Sequence, residues 1–192
     1  MKKLLLIDRD GTLIKEDTTE YKIDSFQKLE FYPDVFFYLR KIFTELDYEL
    51  LMVTNQDGMG REEFPGDSFW PVQQFVIQSF ENERIFFSEV LIDTTYPAEN
   101  APTRKPLTGL LEKYIQNPDY DLKASLVIGD RITDVQLAKN LDCKACWLNN
   151  GNLLGIDEIS DELPLLMESV VVNSPNWEDI YLYLADLQRK NG

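Results

Sequence analysis

Histidine is absent from this chain. That absence removes imidazole as general base, phosphoryl acceptor or metal ligand, and leaves carboxylates, lysine, threonine and tyrosine to carry any chemistry. Cysteine is nearly absent too, with Cys143 and Cys146 the only two. Their Cys-Lys-Ala-Cys spacing allows a redox pair or half a zinc site, but no further Cys or His exists to complete a zinc tetrahedron. The pair also opens an expected strand, Lys144 to Leu148, rather than a helix, so a reduced, partly buried pair is the expectation.

Long apolar runs are missing as well. Nothing approaches the ~18 residues needed to span a bilayer, and Lys2-Lys3 before Leu4 to Ile7 is too short for a signal-peptide core. A soluble, cytoplasmic protein is expected, with no membrane partner. Basic residues are scarce, 19 against 34 acidic, for a formal net charge of -15. Such a surface repels a polyphosphate backbone, which argues against nucleic acid as a partner.

What is present is a pattern of short Leu, Ile and Val runs alternating with stretches of helical period. At 192 residues and 44% hydrophobic, the chain suffices for one α/β core, so residues 1–192 are expected to form one domain. The expected strands are Leu4 to Asp8, Glu49 to Asn55, Phe87 to Asp93, Ser125 to Gly129, Ala145 to Leu148 and Ser169 to Val172. Helices are expected over Val35 to Leu46, Val72 to Phe80, Leu107 to Ile115 and Val135 to Leu141. A last helix is expected to be capped by Ser174-Pro175, with Trp177, Ile180, Tyr181, Leu184 and Leu187 facing inward. Asn150 to Leu166 shows no clear pattern and is expected to be irregular. The whole reads as a doubly wound parallel sheet, Rossmann-like.

Two short acidic signatures follow two of these strands: Asp8-Arg9-Asp10-Gly11-Thr12 and Gly129-Asp130-Arg131-Ile132-Thr133-Asp134. Carboxylates gathered at strand ends repel one another unless a cation sits among them, and a hard divalent ion such as Mg2+ is the natural partner. Phosphoryl transfer needs a nucleophile, cations on the equatorial oxygens and a proton donor for the leaving alkoxide. Asp8 is suited to attack phosphorus, and Asp10 to protonate the leaving oxygen and then activate water. Thr54, ending its strand in Val53-Thr54-Asn55-Gln56, and Lys105, expected to open a helix in Arg104-Lys105-Pro106, suit the phosphoryl oxygens. Asp130 would complete the metal shell, and Asp134, one helical turn later, would orient a metal-bound water or Lys105. Each fragment alone also fits a turn, a cap or a solvated helix start; their order along the chain carries the weight.

In that order the residues resemble the haloacid dehalogenase superfamily of aspartate-nucleophile phosphatases, from about Leu4 to Leu148. The resemblance implies Asp8 as nucleophile, Asp10 as acid/base, and magnesium held by Asp8, Asp130 and the Asp10 backbone carbonyl. Asp-Arg-Asp-Gly-Thr, Thr54-Asn55-Gln56-Asp57-Gly58, Phe64-Pro65 and Arg104-Lys105-Pro106 resemble the histidinol-phosphate phosphatase domain, which in many bacteria is fused to a histidine-rich dehydratase half. The expected reaction is magnesium-dependent hydrolysis of a small phosphate monoester, L-histidinol phosphate, in histidine biosynthesis. Heptose or sugar bisphosphates are the alternative substrates. A receiver-type phosphoacceptor domain uses similar groups, but it would place its acceptor after the third strand and leave Gly129 to Asp134 surplus. Relatives usually carry three Cys and one His just before the Arg-Lys-Pro; Asp93 to Thr103 has none, so no structural zinc is expected, and Tyr96, Pro97 and Pro102 are expected to stiffen the loop. The short spacings leave no room for a large cap domain. Substrate contacts are expected from Leu13 to Asp24 and Asp57 to Phe69, with Asn55, Gln56 and Arg104 as phosphate or loop contacts and Glu16 facing the substrate's ammonium. Phe69, Trp70 and Phe75 are expected to pack in the core rather than wall the substrate.

Overall fold

The computed structural model describes residues 1–151 and 153–191. Six parallel strands form one sheet: β1 (Leu4–Ile7), β2 (Glu49–Asn55), β3 (Glu89–Asp93), β4 (Leu126–Gly129), β5 (Lys144–Leu148) and β6 (Val170–Ser174). Their spatial order is β3-β2-β1-β4-β5-β6. The chain thus leaves β1 toward one edge and returns beside it toward the other, and at this reversal doubly wound sheets open a crevice beyond the strand carboxyl ends.

Both faces of the sheet are covered, which is why the strands read as unbroken apolar runs. Alternation along β1 sends Leu5 and Ile7 to one core and Leu4 and Leu6 to the other. The first core is closed by α1 (Val35–Glu45), α2 (Gly66–Asn82) and α6 (Trp177–Asn191), through Leu39, Val76, Phe80, Trp177 and Ile180. The second is closed by α3 (Glu112–Ile115), α4 (Ile132–Asn140) and α5 (Leu163–Met167), through Tyr114, Val135, Ala138 and Leu166. Cys143 and Cys146 are free and belong to different cores. Burial pushes the Cys143 thiol up to about 12 and raises that of Cys146 as well. Both are therefore protonated, poor nucleophiles.

Several expected boundaries move. α2 begins at Gly66, ahead of Pro71, because Phe69 is fully buried against Phe64, with ring centroids 5.7 Å apart, and tertiary packing extends the helix through the proline. Phe69 is thus core as expected, whereas Trp70 and Phe75 are exposed. Leu107 to Ile115 yields only a 3₁₀ turn, Gly109–Leu111, and the short α3, since Gly109 sits against the Pro102 carbonyl and its own N–H bonds that oxygen at 2.8 Å. Lys105 therefore lies in a turn and opens no helix. The last helix starts at Trp177 with Asn176 as its cap, the Asn176 carboxamide accepting the Asp179 N–H at 3.0 Å. Within Asn150 to Leu166, Asn152 lies outside the described residues, and α5 begins at Leu163. Among the described residues no helix is long and apolar enough to cross a membrane, and no large cap stands over the strand ends: 27 residues link β1 to α1, and 10 link β2 to α2.

Candidate active site

Asp8 follows β1 directly, and its N–H bonds the Ile128 carbonyl of β4 at 2.9 Å, so the first acidic loop starts at the sheet's reversal point. The Arg9 carbonyl then accepts the N–H groups of Leu13 and Ile14 at 2.9 and 3.1 Å, turning the chain back on itself. Gly11 makes this turn with φ +76°, and a Cβ there would stand 2.1 Å from Asp130 Oδ2. Only glycine lets the two acidic loops approach this closely. Two indoles pin them: Trp177 Nε1 donates to the Thr12 carbonyl at 3.0 Å and Trp147 Nε1 to the Asp130 carbonyl at 2.8 Å. Neither tryptophan was legible as a site residue, because each acts through a backbone oxygen that no motif encodes.

Lys105 Nζ sits between two buried carboxylates, donating to Asp8 Oδ1 at 2.6 Å and to Asp134 Oδ1 at 2.7 Å. Asp134 also accepts the Arg131 N–H at 3.2 Å, capping α4. Burial opposes charge on Lys105, but Asp134 and Asp8 outweigh it and raise its pKa, so the ammonium persists. Asp8 is pushed up to about 7, chiefly by burial, with Lys105 opposing and Asp134 adding to the rise. Asp130 is raised well above the usual carboxylate range, by burial and then by Asp8 and Asp134. One lysine does not neutralise three buried acids.

That deficit suits a divalent cation. Oxygens of Asp8, Asp130 and Asp134 lie within 4.8 Å of one another, the one such group of three among the described residues, and Asp130 Oδ1 is buried without a hydrogen-bond partner. Hard oxygen donors with one acceptor unspent fit Mg2+. Because both Asp134 oxygens are engaged, the oxygens left to a cation are chiefly those of Asp8 and Asp130.

The other expected residues converge on the same crevice, several of them through partners of their own. Asp10 accepts Arg9 Nη1 at 2.7 Å on one oxygen and Gln56 Nε2 on the other. Gln56 Nε2 also donates to Thr54 Oγ1 at 2.9 Å, which leaves the buried Thr54 hydroxyl hydrogen free to point into the crevice. Asn55 clamps the Lys105 backbone, donating to its carbonyl and accepting its N–H, both at 3.0 Å. Asn55 and Gln56 thus hold Lys105 and Asp10 in place. Glu16 pairs with Arg131. Burial raises the Glu16 pKa, with Arg131 opposing the rise. Arg104 is buried and bound to Asp57 and Glu158.

The loop from Asp93 to Thr103 is organised by a carboxylate that sequence reading passed over. Asp93, buried at the end of β3, accepts the N–H and hydroxyl of Thr95 on one oxygen and the Thr103 hydroxyl on the other. Tyr96, expected to stiffen the loop, packs under the Arg61 guanidinium at 4.7 Å, and Arg61 pairs with Glu99 at 2.6 Å. Pro97 and Pro102 take part as the start of a 3₁₀ turn and as the acceptor for Gly109.

Beside these groups lies a cavity of about 420 Å³, whose lining includes Asp8, Asp10, Thr54, Asn55 and Lys105 together with Glu16, Tyr21, Asp57 and Glu158. Cavity, parallel order and acidic reversal point together define a candidate ligand site of a doubly wound α/β protein. A family model described as HAD-hydrolase-like matches residues 102–161. The chain is 54% identical over 147 residues to the histidine biosynthesis bifunctional protein HisB of Bacteroides fragilis, covering 77% of this chain and 39% of that protein. It is 43% identical over 187 residues to the HisB of Spirosoma linguale, covering 96% and 49%. The fold matches the crystal structure of D,D-heptose 1,7-bisphosphate phosphatase from B. bronchiseptica complexed with magnesium and phosphate, with a TM-score of 0.75 at 20% identity and 99% of each chain covered. Residues 102–161 thus match the haloacid dehalogenase-like hydrolases, while the chain as a whole is similar to the HisB proteins and shares the fold of a phosphatase. It spans less than half the length of these curated relatives.

Proposed function

We propose that this chain is a magnesium-dependent phosphatase that hydrolyses L-histidinol phosphate, with residues 1–192 acting as one catalytic domain. The observation that carries the chemistry is the Lys105 ammonium bonded to Asp8 at 2.6 Å and Asp134 at 2.7 Å beside the unspent Asp130 oxygen. This is a carboxyl nucleophile held next to fixed positive charge, which favours its ionised form against the burial that opposes it. The 54% identity to a HisB protein supports the substrate.

Asp8, Asp130 and the Asp10 backbone carbonyl would hold magnesium, which supplies charge neutralisation to the phosphoryl oxygens. An Asp8 carboxylate oxygen attacks phosphorus, the ester P–O bond breaks, and the departing alkoxide takes a proton from Asp10. Asp10 then removes a proton from water; the water oxygen attacks the aspartyl-phosphate, and the Asp8 O–P bond breaks to release phosphate. Thr54 and Lys105 donate to the phosphoryl oxygens throughout. Asn55 keeps Lys105 in register, and Gln56 with Arg9 aims Asp10. A second half of the relatives' length would house a fused dehydratase, and the protein would work in the cytoplasm.

The test is phosphate release with magnesium from L-histidinol phosphate, heptose bisphosphate and simple sugar phosphates, by the parent and by Asp8→Asn. Selective turnover of histidinol phosphate, abolished by the substitution and by chelator, is expected. Preference for the bisphosphate would move the substrate while keeping the mechanism, and undiminished turnover by Asp8→Asn would remove Asp8 as nucleophile.

A further inference from the structure

Next to Lys105, Arg104 brings a second buried cation to the cavity wall, yet every one of its N–H donors is already spent. Nε and Nη2 donate to Glu158 Oε2 at 3.1 and 2.8 Å, Nη1 and Nη2 to Asp57 Oδ1 and Oδ2 at 2.6 and 3.3 Å, and Nη1 also to the Thr95 carbonyl at 2.8 Å. A guanidinium offers five N–H groups, so none remains for a ligand. The burial is graded to match: the Arg104 side chain is 7% exposed, Glu158 17% and Asp57 40%. All three line the cavity, and the two carboxylates are the more exposed of them. Arginine with two carboxylates sums to one negative charge, and the exposed Asp157 lines the same wall.

We propose that Asp57 and Glu158 determine charge selectivity by saturating Arg104. They withdraw its guanidinium from the substrate's alcohol portion and put a net negative wall in its place. The cavity then favours phosphate monoesters whose alcohol portion carries an ammonium and rejects those carrying a second anion, because like charges brought together in a part-desolvated site are strongly disfavoured. This inference rests on the phosphatase reading above and names the residues that would set its substrate class. With the carboxylates neutralised, the same Arg104 would be free to bind a second phosphate, so selectivity would turn on two residues that touch neither the phosphoryl group nor Asp8.

The experiment compares kcat/KM, with magnesium, for L-histidinol phosphate, its desamino analogue and 1,3-propanediol bisphosphate. The parent is expected to rank them in that order, with about tenfold or more between ammonium ester and bisphosphate. In Asp57→Asn/Glu158→Gln that ratio should fall at least about tenfold, mainly through KM, with the bisphosphate gaining in absolute terms. Because loss of the Arg104 pairs could unfold the double variant, Asp157→Asn provides an independent reading at an exposed position. It should lower the same ratio about threefold. Equal parent rates on the ammonium and desamino esters, an unchanged ratio in the variants, or an equal loss on all three substrates would each overturn the inference while leaving the phosphatase reading standing. No hydrolysis of any ester by the parent would remove that reading itself, and the inference with it.

Discussion

Replacing Lys105 by methionine isolates the electrostatics of the crevice. The ammonium bonds two carboxylates whose side chains are 6% or less exposed, Asp8 and Asp134, and methionine fills a similar volume without charge. Removing one partner of a buried pair costs about 3–5 kcal/mol, since the charges left behind have neither water nor counterion. The cost should depend on pH in a defined direction. Asp8 already holds its proton up to about 7 in the parent, mainly through burial and against the pull of Lys105. Without that pull its pKa rises further, while in the unfolded chain it ionises near the ordinary value. Below about pH 7 Asp8 is protonated in both folded proteins, and the substitution changes little there beyond the Asp134 contact. Above that pH the parent ionises but the variant does not, so the folded variant binds one more proton than its unfolded state. Its relative stability then falls by up to ~1.4 kcal/mol per pH unit. Urea unfolding in metal-free buffer at about pH 6 and about pH 8.5 should show the penalty roughly 2 kcal/mol larger at the higher pH. A penalty independent of pH, or one that shrinks as pH rises, would refute this account of the Lys105–Asp8 pair. Turnover should drop about 10²–10³-fold at either pH.

Gly11→Ala should cost at least ~1–2 kcal/mol for its left-handed backbone alone. Because the new Cβ would collide with the Asp130 carboxylate, it should also erase the rise in Tm that magnesium gives the parent, as read by calorimetry with and without the ion. Trp147→Phe leaves the buried Asp130 carbonyl without its indole donor and should destabilise by about 1–3 kcal/mol, measured by denaturant midpoint. A larger loss in turnover than that destabilisation alone explains would show that the indole also aims Asp130. Asp93→Ala strips the acceptor from three donors and should cost about 1.5–3 kcal/mol. Limited proteolysis should then cut between residues 94 and 103 in the variant well before the parent is cleaved.

Much of the architecture was legible because it depends on local pattern. β2 occupies Glu49–Asn55 as its apolar run implies, and five other strands fall within two residues of their expected limits. Buried parallel strands announce themselves as continuous Leu, Ile and Val runs, and that signal survives without knowledge of neighbours. The helix expected over Leu107 to Ile115 does not form as such, because helix period can arise from residues that meet different surfaces: Leu111 and Tyr114 reach one core, while Leu107 and Ile115 stay exposed.

Chemistry-bearing residue types were determined by the sequence itself, since Asp-x-Asp, Thr-Asn, Lys and Gly-Asp-x-x-x-Asp at strand ends leave few other uses for so many carboxylates in a chain without histidine. How they are deployed was decided only by the tertiary structure. Lys105 reaches Asp8 across 97 positions of chain, Trp177 reaches the Thr12 carbonyl across 165, and Arg104 is silenced by Asp57 and Glu158 from two separate loops. Such pairings answer to the closure of the sheet and the burial it imposes on charge. A motif records which groups are available; only their positions in three dimensions decide which of them are already spent on one another.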